Sequence, residues 1–210
     1  MTKATMKKNK VIRLNLGSGV YLRKGYINVD KFLTLEGLKS KEGWYKNAVV
    51  EKGAEFVQSD ILKMPFPNNY ADYVLMSHVI EHFPMYKVID YMKEVYRVMK
   101  KGAKLIVSTN SFTGLTLDWL QLVTSGTFDP KKYYYIAETI YGNQAGGSEG
   151  EIHMCPFTPD FMNYVLFNAG FKKGEITLLP KGSPIPTIGE DKPIKGVVTR
   201  NDQLIVETYK

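Results

Sequence analysis

Two glycines and an aspartate near the start of the chain have the spacing of a nucleoside-binding loop. Gly17 and Gly19 follow an apolar run, and Asp30 closes the next apolar run. Glycines at the end of a strand let backbone N–H groups approach a ligand, because no side chain holds the ligand away. A carboxylate at the end of the following strand suits a ribose, since it can accept hydrogen bonds from both hydroxyls. The pattern predicts a site for an adenosine-containing cofactor, although a lone glycine turn also occurs at ordinary strand-to-loop junctions.

The spacing disfavours a dinucleotide as that cofactor. A GxGxxG fingerprint needs a third glycine where this chain has Leu22, and its ribose acid lies about 20 residues beyond the glycines. Here Asp30 lies only eleven residues after Gly19, which leaves no room for a long crossover helix.

The three histidines are candidates for acid–base or metal chemistry. The run from His78 to His82 matches H-x-x-E-H, a zinc signature in which Glu81 would be the general base. A zinc site would need a distant third ligand that no motif marks, so we predict no metal and expect His82 to make local hydrogen bonds. His153 precedes a late helical pattern, and a histidine near its ordinary pKa suits the removal of a proton from a hydroxyl.

Length, charge and cysteine content bound the class of protein. The 210 residues suit one domain, and four of the charges behind the net +7 are lysines in residues 1–10, where no acid offsets them. We predict a flexible basic tail at 1–10 and a single domain over 11–210.

The lone cysteine, Cys155, fits a reducing compartment, and the chain shows neither a membrane span nor an apolar leader, so we expect a cytoplasmic protein. Nucleic-acid binding would need a basic face on the folded part.

Apolar periodicity places the elements that must hold these residues. Val88, Met92 and Val95 recur at helical spacing, with Gly102 expected as the helix C-cap, and Thr158 is expected to start a later helix. Residues 110–152 carry helical patterning of their own and are interpreted as an insert or lid over the acceptor. The predicted strands cover residues 11–16, 26–29, 55–59, 71–77, 103–108, 175–179 and 203–208.

Four motifs in order resemble one enzyme family. They read LNLGSG, GYINVD, D-x-x-x-x-P-F and S-H-V-x-E-H between Val11 and Thr109. This order resembles the small, type 11-like members of the class I S-adenosylmethionine-dependent methyltransferases. The resemblance implies a Rossmann-like, doubly wound α/β fold whose seven-stranded, mostly parallel sheet has an antiparallel C-terminal strand inserted between its neighbours. It also implies S-adenosylmethionine as the cofactor.

The resemblance further implies which residues hold the cofactor. Gly17, Ser18 and Gly19 would lie under the methionine and ribose, and Asp30 would hold the ribose hydroxyls. Lys31, Asp60 and Ile61 would lie around the adenine. Ser77 and His78 would lie near the sulfonium.

Two positions depart from the wider family. Asn15 stands where an acid is common, and Tyr21 occupies the place of the usual third glycine. We interpret Asn15 as a cofactor-site residue without the charge, and Tyr21 as a wall or lid over the methionine.

On the acceptor side, the resemblance implies a glycine-rich segment followed by a histidine and Phe-Thr. The matching residues are Tyr141, Gly142, Asn143, Gln144, His153, Phe157 and Thr158. Methyl transfer is an in-line displacement, so the enzyme must supply alignment and, for a hydroxyl acceptor, a base. His153 is the first candidate for that base and His78 the second, unless the acceptor needs none.

The acceptor class stays open among several alternatives. An Asn/Asp-Pro-Pro-aromatic box is missing after residue 77, which disfavours methylation of a nucleobase nitrogen. By analogy with relatives of this shape, the leading hypothesis is O-methylation of a sugar or small hydroxylated metabolite. Nucleic acid or protein acceptors, and an inactive cofactor-binding interaction module, are the alternatives. The aromatic side chains of the insert, such as Trp119, Phe128 and Tyr133, would either stack on the acceptor or pack the insert helices.

Overall fold

The computed structural model describes residues 11–143, 149–172, 175–179 and 203–210. The predicted basic tail, Gln144 and the Gly/Pro-rich loop before the last strand lie outside the described residues.

The strands of the described residues form one large sheet and one short pair. They are β1 (Arg13–Leu16), β2 (Tyr21–Leu22), β3 (Ile27–Asp30), β4 (Val49–Val50), β5 (Glu55–Gln58), β6 (Ala71–Ser77), β7 (Met99–Asn110), β8 (Glu175–Leu179) and β9 (Gln203–Tyr209). The large sheet has the order β5-β3-β1-β6-β7-β9-β8. β5, β3, β1, β6 and β7 are parallel, and β9 runs antiparallel to both of its neighbours. The predicted fold class, with its inserted C-terminal strand, is confirmed.

Local sequence signals set the starts of several helices. The helices are α1 (Leu35–Ser40), α2 (Val88–Val98), α3 (Phe112–Thr124), α4 (Pro130–Tyr141) and α5 (Pro159–Ala169). Side-chain oxygens of Ser111, Asp129 and Thr158 accept hydrogen bonds from the first-turn amides of α3, α4 and α5. α5 begins with a proline and ends at Gly170, as the sequence predicts. α3 and α4 follow β7 and form the predicted helical insert.

The prediction of Gly102 as a helix C-cap is wrong. α2 ends at Val98 with Met99 as its cap, and the strand β7 already begins at Met99. The pairing of β6 with β7 shifts register between Ala71 and Tyr73, and Gly102 lies in this irregular part of β7 with a φ of +78°. A glycine is needed there because a bulged strand requires a left-handed residue.

The connections on either side of β3 contain two short strands that the sequence analysis did not predict. β2 pairs in parallel with β4 through Tyr21↔Val49 and Leu22↔Val50, forming a separate two-stranded sheet. Strands of two residues are too short for an alternating pattern, so periodicity could not reveal them.

The main core lies between one face of the sheet and the helices α2 and α5. Met92 and Val95 of α2 pack with Met162 and Val165 of α5 on the apolar side chains of the central strands. The packing confirms that the apolar stripe of α2 belongs to the core, and it fixes the carboxyl ends of β1, β3 and β6 relative to one another.

An ion pair ties α2 to the loop after β5. Arg97 donates to Glu94 through Nε at 2.6 Å and Nη2 at 2.7 Å, and to the carbonyl oxygen of Phe66 at 2.8 Å. Glu94 in turn accepts the amide of Met64 at 2.8 Å. The hydrogen bond from Arg97 is the main cause that holds the pKa of Glu94 below its ordinary value, with burial opposing it.

We predict that Glu94→Gln lowers the free energy of unfolding at neutral pH by about 1–2 kcal/mol, because a charge-assisted hydrogen-bond pair is lost. Since folding lowers the pKa of Glu94, its stabilisation is present above the unfolded pKa of about 4.3 and is lost as pH falls through the folded value. Urea unfolding between pH 7 and pH 3.5 should therefore show the two proteins converging in acid. Asp90→Asn, on the exposed face of the same helix, is the control and should change stability little.

Candidate functional site

The glycine turn after β1 is packed tightly against the segment after β6. Gly17 and Gly19 have φ values of +62° and +52°, and the Ser18 amide donates to the carbonyl oxygen of Val29 at 3.1 Å. A Cβ atom on Gly17 would lie 1.6 Å from Cγ2 of Val79. Glycine is therefore required at position 17 both by its conformation and by the lack of space.

Asp30 is fixed at the end of β3 beside this turn. Its Oδ2 accepts the amide of Gly19 at 2.9 Å, and its Oδ1 accepts the amides of Phe32 and Leu33 at 2.8 and 3.0 Å. Each carboxylate oxygen can accept two hydrogen bonds, so Oδ2 keeps a lone pair for a further donor. The carboxylate is thus oriented before any ligand arrives, and ribose hydroxyls are suitable donors.

Asp60 and Lys31 lie together on the neighbouring loop. Asp60 caps a 3₁₀ turn at Ile61–Lys63 by accepting the amide of Leu62 at 2.9 Å. Its other oxygen lies 3.1 Å from Nζ of Lys31, while the Ile61 side chain is buried. The predicted role of Lys31, Asp60 and Ile61 around the adenine stays a prediction.

Asn15 belongs to a buried amide network that the sequence analysis missed. Its Nδ2 donates to Oδ1 of Asn28 at 2.9 Å, and that oxygen also accepts the amide of Arg23 at 3.0 Å. Nδ2 of Asn28 donates to the carbonyl oxygens of Arg23 and Glu55. Asn28 therefore ties β1, the short crossover at Arg23 and β5 together through its side chain. The only sequence signal was a polar residue inside the apolar run INVD.

Tyr21 lies in β2 at the edge of the small two-stranded sheet. Its side chain is half exposed, and its carbonyl oxygen accepts a long hydrogen bond of 3.5 Å from Asn15. The predicted role of Tyr21 over the methionine stays a prediction.

Ser77 and His78 follow one another at the end of β6. Oγ of Ser108 donates to Oγ of Ser77 at 3.0 Å, and the His78 amide donates to the carbonyl oxygen of Ser108 at 2.8 Å. His78 has a φ of +53°, which is unusual for a residue with a side chain. Its Nδ1 lies 3.0 Å from Oε1 of Glu81, and its Nε2 contacts Nε2 of Gln203. Both ring nitrogens of His78 are therefore engaged within the protein.

Glu81 is a buried carboxylate at the centre of the histidines. It lies in a 3₁₀ turn at Ile80–His82 and is 3% exposed. Burial raises its pKa, but the hydrogen bond from His78 and the nearby histidine charges outweigh burial and lower the pKa to about 2. Its Oε2 is buried and has no hydrogen-bond partner among the described residues. The carboxylate therefore stays ionised and keeps one oxygen unpaired.

His82 and His153 lie beside Glu81. Nδ1 of His82 lies 3.0 Å from the carbonyl oxygen of Ile152, and Nδ1 of His153 lies 2.8 Å from that of Thr139. The two rings meet edge to face with centroids 4.8 Å apart. Burial lowers the pKa of His153, although the charge of Glu81 opposes that shift. One side-chain nitrogen or oxygen of each of the three residues lies within 4.8 Å of the others.

Gly142 fixes His153 in place. It has a φ of +80°, and a Cβ there would lie 1.9 Å from the carbonyl oxygen of Glu151. The His153 amide donates to the carbonyl oxygen of Tyr141 at 3.0 Å, and the backbone oxygen of Glu81 accepts the amides of Met154 and Cys155. The end of α4 and the turn after β6 thus hold the segment around His153 from two sides.

A small cleft borders this group, between the end of β7, the start of α3 and the end of α4. Glu81, His153 and Thr109 line it, and Oγ1 of Thr109 is buried without a partner among the described residues. Phe157 forms part of its wall. Burial, with the charge of Glu81, raises the pKa of the nearby Cys155 thiol to about 12.

The insert aromatics join α3 to α4. Tyr133 lies 4.8 Å from Trp119 and 5.8 Å from Phe128, measured between ring centroids. This supports the packing interpretation for these rings. Tyr134 and Phe128 are nevertheless largely exposed.

Comparisons with known proteins agree with this arrangement. Residues 25–107 match a family model described as a methyltransferase domain. No protein of curated function matches the sequence. A SAM-dependent methyltransferase structure from Archaeoglobus fulgidus is 16% identical over 97% of this chain and 87% of that one, with a TM-score of 0.57. One from Methanosarcina mazei is 15% identical over 97% and 94%, with a TM-score of 0.56. A chain from a Haloferax volcanii complex between the Trm112 methyltransferase activator and a methyltransferase is 13% identical to this chain. The match covers 97% of this chain and 83% of that one, with a TM-score of 0.57.

Residues 25–107 therefore match a methyltransferase domain, and the chain has the fold of S-adenosylmethionine-dependent methyltransferases of known structure. The described helices include none with the length and apolarity needed to cross a membrane.

We predict that Gly17→Ala damages the site more than Gly25→Ala. Both glycines have positive φ values, but a Cβ on Gly25 would meet nothing within 4 Å. Gly25→Ala should cost about 1–2 kcal/mol of folding free energy from backbone strain alone. Gly17→Ala should cost a further ~1–3 kcal/mol from overpacking against Val79 and should weaken S-adenosylhomocysteine binding. Chemical denaturation and titration calorimetry of both variants measure this, and equal losses would contradict it.

We predict that Asp30→Ala weakens binding of S-adenosylhomocysteine by at least about tenfold, since charge-assisted hydrogen bonds to the ribose are lost. Asp72→Asn is the matched control, because Asp72 also accepts a backbone amide but lies at the opposite end of the parallel strands. It should lower stability without changing the calorimetric affinity. An unchanged affinity in folded Asp30→Ala would show that the ribose binds elsewhere.

Proposed function

We propose that this methyltransferase transfers the methyl group of S-adenosylmethionine to a hydroxyl of a sugar or small hydroxylated metabolite. The main support is His153, which lines a small cleft together with Glu81 and whose Nε2 makes no hydrogen bond among the described residues. A ring nitrogen of this kind suits the activation of a hydroxyl, whereas a nucleobase amine would need the polar box that the chain lacks.

In the proposed mechanism, the glycine turn and Asp30 hold the cofactor, and the cleft aligns the acceptor oxygen with the methyl carbon. The new C–O bond forms as the C–S bond breaks, its electron pair passes to sulfur, and the hydroxyl proton is released. His153 activates the hydroxyl. Both ring nitrogens of His78 are engaged with Glu81 and Gln203, so we assign His78 the positioning of Glu81 rather than proton removal.

The predicted cofactor residues keep their proposed roles around the bound nucleoside. Their positions at the carboxyl ends of β1, β3 and β6 support this, because ligands of open α/β sheets bind at those ends. The set comprises Asn15, Gly17, Ser18, Gly19, Tyr21, Asp30, Lys31, Asp60, Ile61, Ser77 and His78.

The insert at 110–152 is proposed as the acceptor-side cover. Its helices α3 and α4 border the cleft that Glu81 and His153 line. An inactive interaction module is the second candidate, because Leu117, Leu120 and Phe128 of the insert expose apolar side chains. We also propose a cytoplasmic location, from the single buried Cys155.

The test is transfer of a labelled methyl group to monosaccharides and polyols, to an RNA oligonucleotide and to a peptide mixture. We predict label on a small hydroxyl acceptor, with one S-adenosylhomocysteine formed per product. His153→Gln should lower turnover by about 100-fold while leaving S-adenosylhomocysteine affinity unchanged.

Lys131→Gln, exposed on α4 and outside the cleft, is the control and should retain full turnover. Label on RNA or peptide alone would overturn the acceptor class. Cofactor binding without turnover on any acceptor would favour the interaction module.

A further inference from the structure

The group formed by Glu81, His82 and His153, here called the His–Glu cluster, brings one possible metal-ligand atom of each residue within 4.8 Å of the others. The Nδ1 atoms of His82 and His153 lie against the carbonyl oxygens of Ile152 and Thr139. A carbonyl oxygen only accepts hydrogen bonds, so each Nδ1 carries the proton. In the neutral rings each Nε2 is then left with a lone pair.

The third member adds another unpaired acceptor. Oε1 of Glu81 accepts from His78, while Oε2 is buried and has no hydrogen-bond partner among the described residues. One ligand atom of each residue lies within 4.8 Å of the other two. A cation held among imidazole nitrogens and a carboxylate oxygen would neutralise the charge of Glu81 and give its unpaired oxygen a partner. An unpaired buried carboxylate oxygen otherwise costs free energy.

The surroundings of the cluster also match those of metal-binding histidines. Histidines that bind metals almost always donate their other ring N–H to a carbonyl or carboxylate, which fixes ring orientation. Both histidines do so here, and His78 orients Glu81 in the same way. The third ligand that the sequence did not mark is supplied by His153, 71 residues beyond His82.

We propose that the His–Glu cluster binds a divalent transition-metal cation, such as Zn²⁺ or Mn²⁺, which in turn binds the hydroxyl acceptor. Two imidazoles and one carboxylate are a common ligand set for such cations and leave coordination positions open. The cleft lined by Glu81, His153 and Thr109 adjoins the cluster on the side of α3 and α4. Two adjacent hydroxyls of a sugar would fill the open coordination positions as a chelate.

This inference rests on the proposed function and specifies how the hydroxyl is activated. A hydroxyl bound to a divalent cation loses its proton more readily, and the cation holds the resulting alkoxide. The alkoxide oxygen forms the new bond to the methyl carbon, the C–S electron pair passes to the positively charged sulfur, and the proton passes to water. His153 then activates the hydroxyl as a ligand of the cation.

Metal binding is tested first, without any acceptor. The full chain is stripped with a chelator and dialysed against ZnCl₂ or MnCl₂, and the bound metal is measured by atomic absorption. We expect one equivalent per chain, and Glu81→Gln, His82→Gln and His153→Gln should each weaken binding by at least about 100-fold. Glu138→Gln, an exposed carboxylate of α4 outside the cluster, is the control and should bind normally.

Each variant is checked for folding by its S-adenosylhomocysteine affinity. Since His82 is only partly buried, His82→Gln tests the site even if Glu81→Gln fails to fold. Absence of bound metal in the native chain, or full binding by folded His82→Gln and His153→Gln, would overturn the proposal.

Turnover separates this inference from the proposed function. We expect the stripped enzyme to bind S-adenosylhomocysteine normally and to methylate a vicinal-diol acceptor only after metal is restored. Unchanged turnover after stripping would overturn the role of the metal and leave the O-methyltransferase function standing. Stoichiometric metal at the cluster with no transfer to any hydroxyl would support the metal site and overturn the proposed function.

Discussion

The bare α-carbon of Gly17 allows the turn after β1 to lie directly against Val79, and the functional site depends on this contact. A single methyl group at Gly17 would overlap the Val79 side chain. The contact sets the distance between the cofactor loop and the segment that carries His78 and Glu81. This close approach brings the glycine turn, proposed to bind the cofactor, next to the segment proposed to bind the acceptor.

Glu81 organises the other half of the site through hydrogen bonds to distant parts of the chain. Its side chain binds His78, which in turn contacts Gln203 of the last strand. Its backbone oxygen accepts the amides of Met154 and Cys155. A carboxylate buried this deeply is tolerated only where partners compensate its charge. Oε2 of Glu81 has no such partner among the described residues, and this is the basis for proposing a cation at the His–Glu cluster.

Features that depend on residues close together in the sequence could be predicted. The glycine turn, Asp30, the capped helices and the order of the sheet all follow from patterns within a few residues or from ordered motifs. Contacts between residues far apart in the sequence could not be predicted. Asn28 gave only a weak local signal and Gln203 gave none, and the pairing of β2 with β4 is too short to detect. Gly102 was misassigned because a positive-φ glycine suits both a helix end and a bulge. The grouping of His153 with Glu81 and His82 required the fold.

A crystal structure of the S-adenosylhomocysteine complex would show whether the cofactor and the acceptor meet at this site. We expect the ribose hydroxyls to bind Asp30 and the sulfur atom to face the cleft lined by Glu81 and His153. An ordered cofactor whose sulfur points away from that cleft would contradict the account, because methyl transfer could not then reach an acceptor held beside His153.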